Sequence, residues 1–119
     1  MVVQVNANLD TNTLDQYCDA IGPAILMKSV VLFEQMAPQY LQEIEAAINS
    51  EDKKAIIAEA HKFKGASGSV GLLRLQQLAQ LMQCGDEPQW PTNYRIWFAE
   101  IQQHYDEDLQ ALKNYLNSK

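Results

Sequence analysis

The sequence predicts an all-α fold, an up-down-up-down four-helix bundle with a short additional helix at its N-terminal end. Apolar residues recur at three- and four-residue spacing over four long stretches, the period of a helix with one face turned to a core. Most segments between those stretches are short and rich in Gly, Pro, Asn, Asp and Ser, which makes successive helices antiparallel neighbours. Strand-like alternation occurs only around Val2, Val3 and Val5, too briefly for a stable strand. Residues 1–9 therefore read as a linker or flexible arm, and residues 10–119 as one domain of a size that buries a single core.

Asp10 or Thr11 caps the short first helix, which carries Leu14, Tyr17, Cys18 and Ile21 and ends at Gly22. Pro23 suits the first turn of the second helix. Its stripe is Leu26, Val30, Phe33, Ala37, Tyr40, Leu41, Ile44 and Ile48, and it passes Pro38 without losing phase. One long helix bent near Pro38 follows from that continuity, because a proline frees a backbone acceptor without erasing an apolar face. Asn49 and Ser50 mark its end, and Ser50 with Glu51 and Asp52 opens the third helix. The third helix runs to about Ser67, and Gly68-Ser69-Val70-Gly71 makes the turn. A fourth, with Leu72, Leu75, Leu78, Ala79 and Met82 inward, ends near Cys84-Gly85. After a loop, Thr92 caps the last helix, whose stripe is Tyr94, Trp97, Phe98, Ile101, Tyr105, Leu109, Leu112 and Leu116.

The formal net charge of −6 makes nucleic acid or an anionic membrane an unsuitable partner for the surface as a whole. Five of the nine basic residues, Lys53, Lys54, Lys62, Lys64 and Arg74, nevertheless fall close together in sequence. Cys18 and Cys84 are far apart and form no Cys-x-x-Cys pair, the usage expected in a reducing cytosol. Lys28 and Glu34 interrupt the most apolar segment well short of a membrane span, and the first residues lack the pattern of a signal peptide. The expected location is cytoplasmic, either free or tethered to the inner membrane through a longer parent protein.

On a helical projection of the third helix, Ile56, Ala60, Phe63, Ser67 and Val70 gather on the core side and His61 falls nearly opposite. One turn away from His61 lie Ile57, Lys64 and Gly65, and two turns on lies Gly68. A mid-helix glycine costs about 1 kcal/mol against alanine, so Gly65 on a solvent face needs a reason. Clearance supplies one, since without a Cβ another protein can approach the imidazole closely. Gly68 either serves the same purpose or ends the helix. A neutral imidazole nitrogen is a competent nucleophile at physiological pH. In phosphoryl transfer charge spreads over the equatorial oxygens, so positioning and nearby cations do most of the work. Lys64 is placed to meet such oxygens, and Lys62, a quarter-turn round, to screen charge.

The stretch His61-Lys62-Phe63-Lys64-Gly65-Ala66-Ser67-Gly68-Ser69-Val70-Gly71 resembles the signature of histidine phosphotransfer (HPt) domains. That signature reads histidine, any residue, an apolar residue, Lys-Gly, small residues, then an aliphatic residue and glycine. The similarity extends from about Asp10 to the C-terminus, notably through Leu75-Gln76-Gln77-Leu78, and points to HPt domains that end hybrid sensor kinases. The resemblance implies that His61 accepts a phosphoryl group on Nε2 from a receiver-domain aspartate and passes it to another. It implies that Lys64 supports the phosphate, that Gly65 gives the receiver room, and that Gln83 hydrogen-bonds near the histidine. It also makes Ile57, Gly68 and side chains of the first helix candidates for the docking surface. Partners would be receiver domains of response regulators or of a parent kinase, with Mg²⁺ held by the receiver and no cofactor in this chain. The isolated domain would be a monomer. In the phosphoacceptor domains of histidine kinases an acidic residue follows the histidine, whereas here that residue is Lys62. With no glycine-rich nucleotide motif either, the chain should be a carrier without an ATP site.

Two other readings compete. A metal-dependent bundle needs Glu-x-x-His motifs facing inward, whereas His61 faces outward and His104 with Glu100 and Asp108 forms a set on the solvated side of the last helix. A plain helical adaptor, with His61 incidental, would share the fold without the chemistry.

Overall fold

Asp10 and Asp52 each start a helix by the same device. In the computed structural model, which describes residues 8–119, Asp10 Oδ1 accepts a hydrogen bond from the Thr13 backbone N–H at 3.1 Å, opening α1 (Thr11–Ile21). Gly22, at φ 87°, reverses the chain and Pro23 begins α2 (Pro23–Asn49). Pro38 lies inside α2, which remains one helix as its unbroken stripe predicts. Of the expected arm, Asn8 and Leu9 are docked, with the Asn8 carbonyl accepting from Arg74 N–H and Leu9 packed on the core. Its remainder, residues 1–7, lies outside the described residues.

The expected third-helix start at Ser50 is two residues early. Ser50 and Glu51 are used to close α2: Asp52 N–H bonds to the Ala47 carbonyl, Glu51 N–H bonds to that of Ile48, and Glu51 takes φ 52°. Asp52 is then the cap, accepting from Ala55 N–H at 3.1 Å, and α3 runs Lys53–Ser69. The same closure recurs at its far end, where Leu72 N–H bonds to Ser67 O and Gly71 N–H to Gly68 O, with Gly71 at φ 76°. Gly68 and Ser69 are therefore helical, and Gly71 rather than Gly68 is the stop residue. Gly71 is also fixed by packing, since a Cβ there would lie 2.7 Å from Leu14 Cγ, where α1 is pinned to the end of α3.

α4 spans Leu73–Gln83 and α5 spans Trp90–Asn117. Thr92 does not cap α5. Pro91 occupies the first turn, where its missing N–H is not needed, and the Thr92 hydroxyl donates to the Gln89 carbonyl from within the helix. All described secondary structure is helical. α2 packs on α3, α3 on α4, α4 on α5 and α5 back on α2, closing a four-helix bundle, with α1 laid against α2. Contacts between Gly68 and Gln76, Arg74 and Asp108, and Glu34 and Lys113 fix the neighbours as antiparallel. The stripes of α2 to α5 turn inward, with Tyr40, Leu41, Trp97 and Tyr105 half-buried at their edges, whereas in α1 only Leu14 is buried and Tyr17 and Ile21 are exposed. Phe63 lies at the centre of the core, its ring 6.1 Å from that of Phe33 and 6.4 Å from that of Tyr40.

Candidate functional site

Burial of Ile56, Ala60, Phe63, Ser67 and Val70 turns the opposite face of α3 outward, and His61 stands there exposed. Because α4 returns antiparallel, its last residue, Gln83, comes level with the imidazole. His61 Nδ1 and Gln83 Oε1 are 3.0 Å apart. An amide oxygen only accepts, so this contact is a hydrogen bond when Nδ1 carries the proton, and in the neutral ring that tautomer leaves the lone pair at Nε2. Sequence spacing does not reach this contact, which depends on the register of two helices.

Gly65 is exposed, and a Cβ built there meets nothing within 4 Å, so the fold itself does not require glycine. Lys64 is half-buried and forms no ion pair among the described residues. The other members of the basic cluster disperse. Lys62 binds Glu59 at 3.1 Å, a contact that raises its pKa, and Glu43 of α2 adds to the same effect. Its charge is thus turned toward α2 rather than left beside His61. Lys53 lies over the Trp90 ring at 5.3 Å, and Arg74 reaches Asp108 and Glu107 on α5.

Two expected docking positions are filled by the protein's own chain. A Cβ at Gly68 would lie 2.6 Å from Gln76 Nε2, so the Gln76 side chain occupies the space that glycine leaves. Ile57 is half-buried under Gly85, whose missing side chain admits the Ile57 Cδ1 methyl. The exposed large apolar side chains lie elsewhere: Tyr17 and Ile21 of α1 and Ile25, Val31, Leu32 and Met36 of α2 make up most of them, and Ile96 stands apart on α5. Leu32 is 55% exposed and Ile25 52%, values unusual for large aliphatic side chains in a core-forming helix. Ile25, Leu32, Met36 and Glu43 share one line of α2, and Glu43 meets Glu59 of α3. The apolar row therefore adjoins the α3 side of the bundle. A second stripe at seven- and four-residue spacing, a quarter-turn off the core stripe, is the signal in the sequence that marks it.

No cluster of three or more His, Cys, Asp or Glu able to hold a metal occurs among the described residues. The expected solvated set on α5 is also corrected, because Asp108 is fully buried and bound by Arg74 through Nε at 3.0 Å and through Nη2.

The family model described as Hpt domain matches residues 28–116. This chain belongs to the Hpt domain family. It is 40% identical over 110 residues to the aerobic respiration control sensor protein ArcB of Escherichia coli strain K12, across 92% of this chain and 14% of that protein. With sensor protein TorS of the same strain it shares 29% identity over 119 residues, 98% of this chain and 12% of that protein. The chain thus spans a small part of the length of the sensor proteins it matches. Among solved structures, the histidine-containing phosphotransfer domain of ArcB from Escherichia coli superimposes with a TM-score of 0.90 at 39% identity, covering 92% of this chain and 93% of that one. The solution structure of the ArcB domain gives 0.85, covering 94% and 90%. An Hpt domain is a phosphotransfer module of a two-component phosphorelay, a carrier rather than an enzyme with its own ATP site.

Proposed function

We propose that His61 is the phosphoacceptor, taking a phosphoryl group on Nε2 from a receiver-domain aspartyl phosphate and passing it to the aspartate of another receiver. The observation that carries this reading is an exposed imidazole whose Nδ1 is held by Gln83 at 3.0 Å. In the forward step Nε2 supplies an electron pair to phosphorus as the bond from phosphorus to the aspartyl oxygen breaks and the carboxylate leaves. The ring gains positive charge, which the Nδ1–H shares with Gln83 Oε1. Lys64, without a carboxylate partner, is available to the phosphoryl oxygens. Mg²⁺ and the catalytic aspartate belong to the receiver, so this chain needs no cofactor.

The receiver docks over Tyr17 and Ile21 of α1 together with the row of Ile25, Leu32 and Met36 on α2, and reaches His61 across Gly65. An apolar patch supplies affinity without fixing a charge pattern. Receivers of response regulators and of a parent sensor kinase are the partners in this reading. No helix among the described residues is long and apolar enough to cross a membrane, and tethering at the inner membrane would come from a parent chain.

The test mixes the protein with a phosphorylated receiver domain. Wild type should acquire acid-labile, base-stable phosphate, and His61→Gln, with an unchanged circular dichroism spectrum, should acquire none. Equal labelling of the variant would refute the assignment.

A further inference from the structure

Gln83 is the last residue of α4, where a helix has no following turn to hold its carbonyls and where side chains fray most easily. A residue that fixes a ring tautomer needs a firmer base than a frayed end. The structure provides one. The buried Trp90 Nε1–H donates to the carbonyl of Met82 at 2.6 Å, one residue before Gln83. Gly85 seats the chain directly after that turn against Ile57 and Lys53 of α3, with no room for a Cβ. The Lys53 ammonium then lies over the Trp90 ring at 5.3 Å.

We infer that Trp90 is a positioning residue for His61: by binding the Met82 carbonyl it holds the end of α4 so that Gln83 keeps the ring proton on Nδ1. The inference deepens the reading of His61 as phosphoacceptor and rests on it. Its chemistry is specific. A free neutral imidazole in water favours the proton on Nε2, the nitrogen that must attack, so a loosened Gln83 lets the ring revert to the wrong tautomer. A hydrogen bond of this kind contributes a modest net free energy, equivalent to about two- to tenfold in the population ratio of the tautomers. The transfer rate should follow the population with Nε2 unprotonated.

Nitrogen-15 NMR of the imidazole reads the tautomer directly, in wild type and in Trp90→Phe, which keeps an aromatic ring but loses the N–H. Trp97→Phe, a change on the same helix away from this contact, is the control. The expected result is a predominantly Nδ1-protonated ring in wild type and Trp97→Phe. In Trp90→Phe a two- to tenfold shift of the tautomer ratio toward the Nε2-protonated form should accompany a fall in transfer rate equal to the fall in the Nδ1-protonated fraction. An unchanged tautomer ratio in folded Trp90→Phe overturns the inference, whatever happens to the rate. If Trp90→Phe does not fold, replacing Trp90 by 3-benzothienylalanine, which keeps the shape of the indole but has no N–H, decides by the same readout. Failure of the phosphoacceptor reading looks different, since wild type would then carry no phosphate on His61 even with its tautomer as described.

Discussion

Replacing Gly65 separates stability from function, because the two should move in opposite directions. The residue lies inside α3 with helical backbone, and a Cβ added there touches nothing within 4 Å. Gly65→Ala should therefore gain the helix-propensity difference of about 1 kcal/mol without any packing penalty. For a domain of this length the entropy of unfolding converts that into a rise in Tm of about 4 °C. Gly65→Gln should also be at least as stable as wild type, yet its side chain stands one turn from His61 in the path of an approaching receiver. Losing even one well-packed contact region of about 1.4 kcal/mol would slow second-order transfer about tenfold. Thermal unfolding followed by circular dichroism reads the first effect, and transfer from a phosphorylated receiver reads the second. A lower Tm for Gly65→Ala would mean that the fold needs this glycine, and wild-type transfer by Gly65→Gln would mean that clearance is not its purpose.

Two further outcomes follow from groups away from His61. Arg74→Ala leaves fully buried Asp108 without its main partner and should cost about 3–5 kcal/mol in denaturant unfolding, whereas the double change Arg74→Met with Asp108→Leu should restore stability to near wild type. If the single change cost less than about 1 kcal/mol, the pair would behave as an ordinary surface bridge. Burial, then Glu34 and Asp106, pushes the Tyr105 phenol from 10.0 up to about 12. Its folded pKa is raised, so its contribution to stability is complete below pH 10 and is lost as pH climbs toward 12. Tyr105→Phe should flatten the decline in Tm across that window, and an alkaline limb identical to wild type would contradict the burial.

Periodicity carried the fold because a helix records its buried face in every turn, and the stripes of α2, α3 and α5 pack as they read. Helix ends were less legible. Two closures of the same geometry, at Glu51 and Gly71, consume residues that otherwise resemble starts or stops, and only the backbone torsions reveal which neighbour reverses the chain. The site divides along similar lines. His61, Lys64 and Gly65 lie within one turn of each other, so local spacing finds them. Gln83 sits 22 positions on and is reached only through the α3–α4 register. The basic cluster was misleading for the converse reason. Adjacency in sequence says nothing about whether Glu59, Asp108 or the Trp90 ring will claim a cation once the helices pack.

The helix that displays His61 is weak by composition, since Gly65 and Gly68 together cost about 2 kcal/mol relative to alanine. Ser67 and Ser69 add little, although each hydroxyl donates to a carbonyl within its own helix. Yet Ile56, Ala60 and Phe63 are fully buried on the opposite face, and burial of the Phe63 ring by itself contributes about 1.5–3 kcal/mol. One side of α3 therefore offsets what the other gives up. The division explains why glycine can be tolerated beside the imidazole at all. In the proposed role His61 must meet incoming receivers, and the exposed face leaves room for that: no Cβ at Gly65 and no carboxylate on Lys64. Orientation comes instead from the edge, through Gln83 on α4. Tertiary packing supplies the stability, and the surface around His61 is thereby left unconstrained by the requirements of folding.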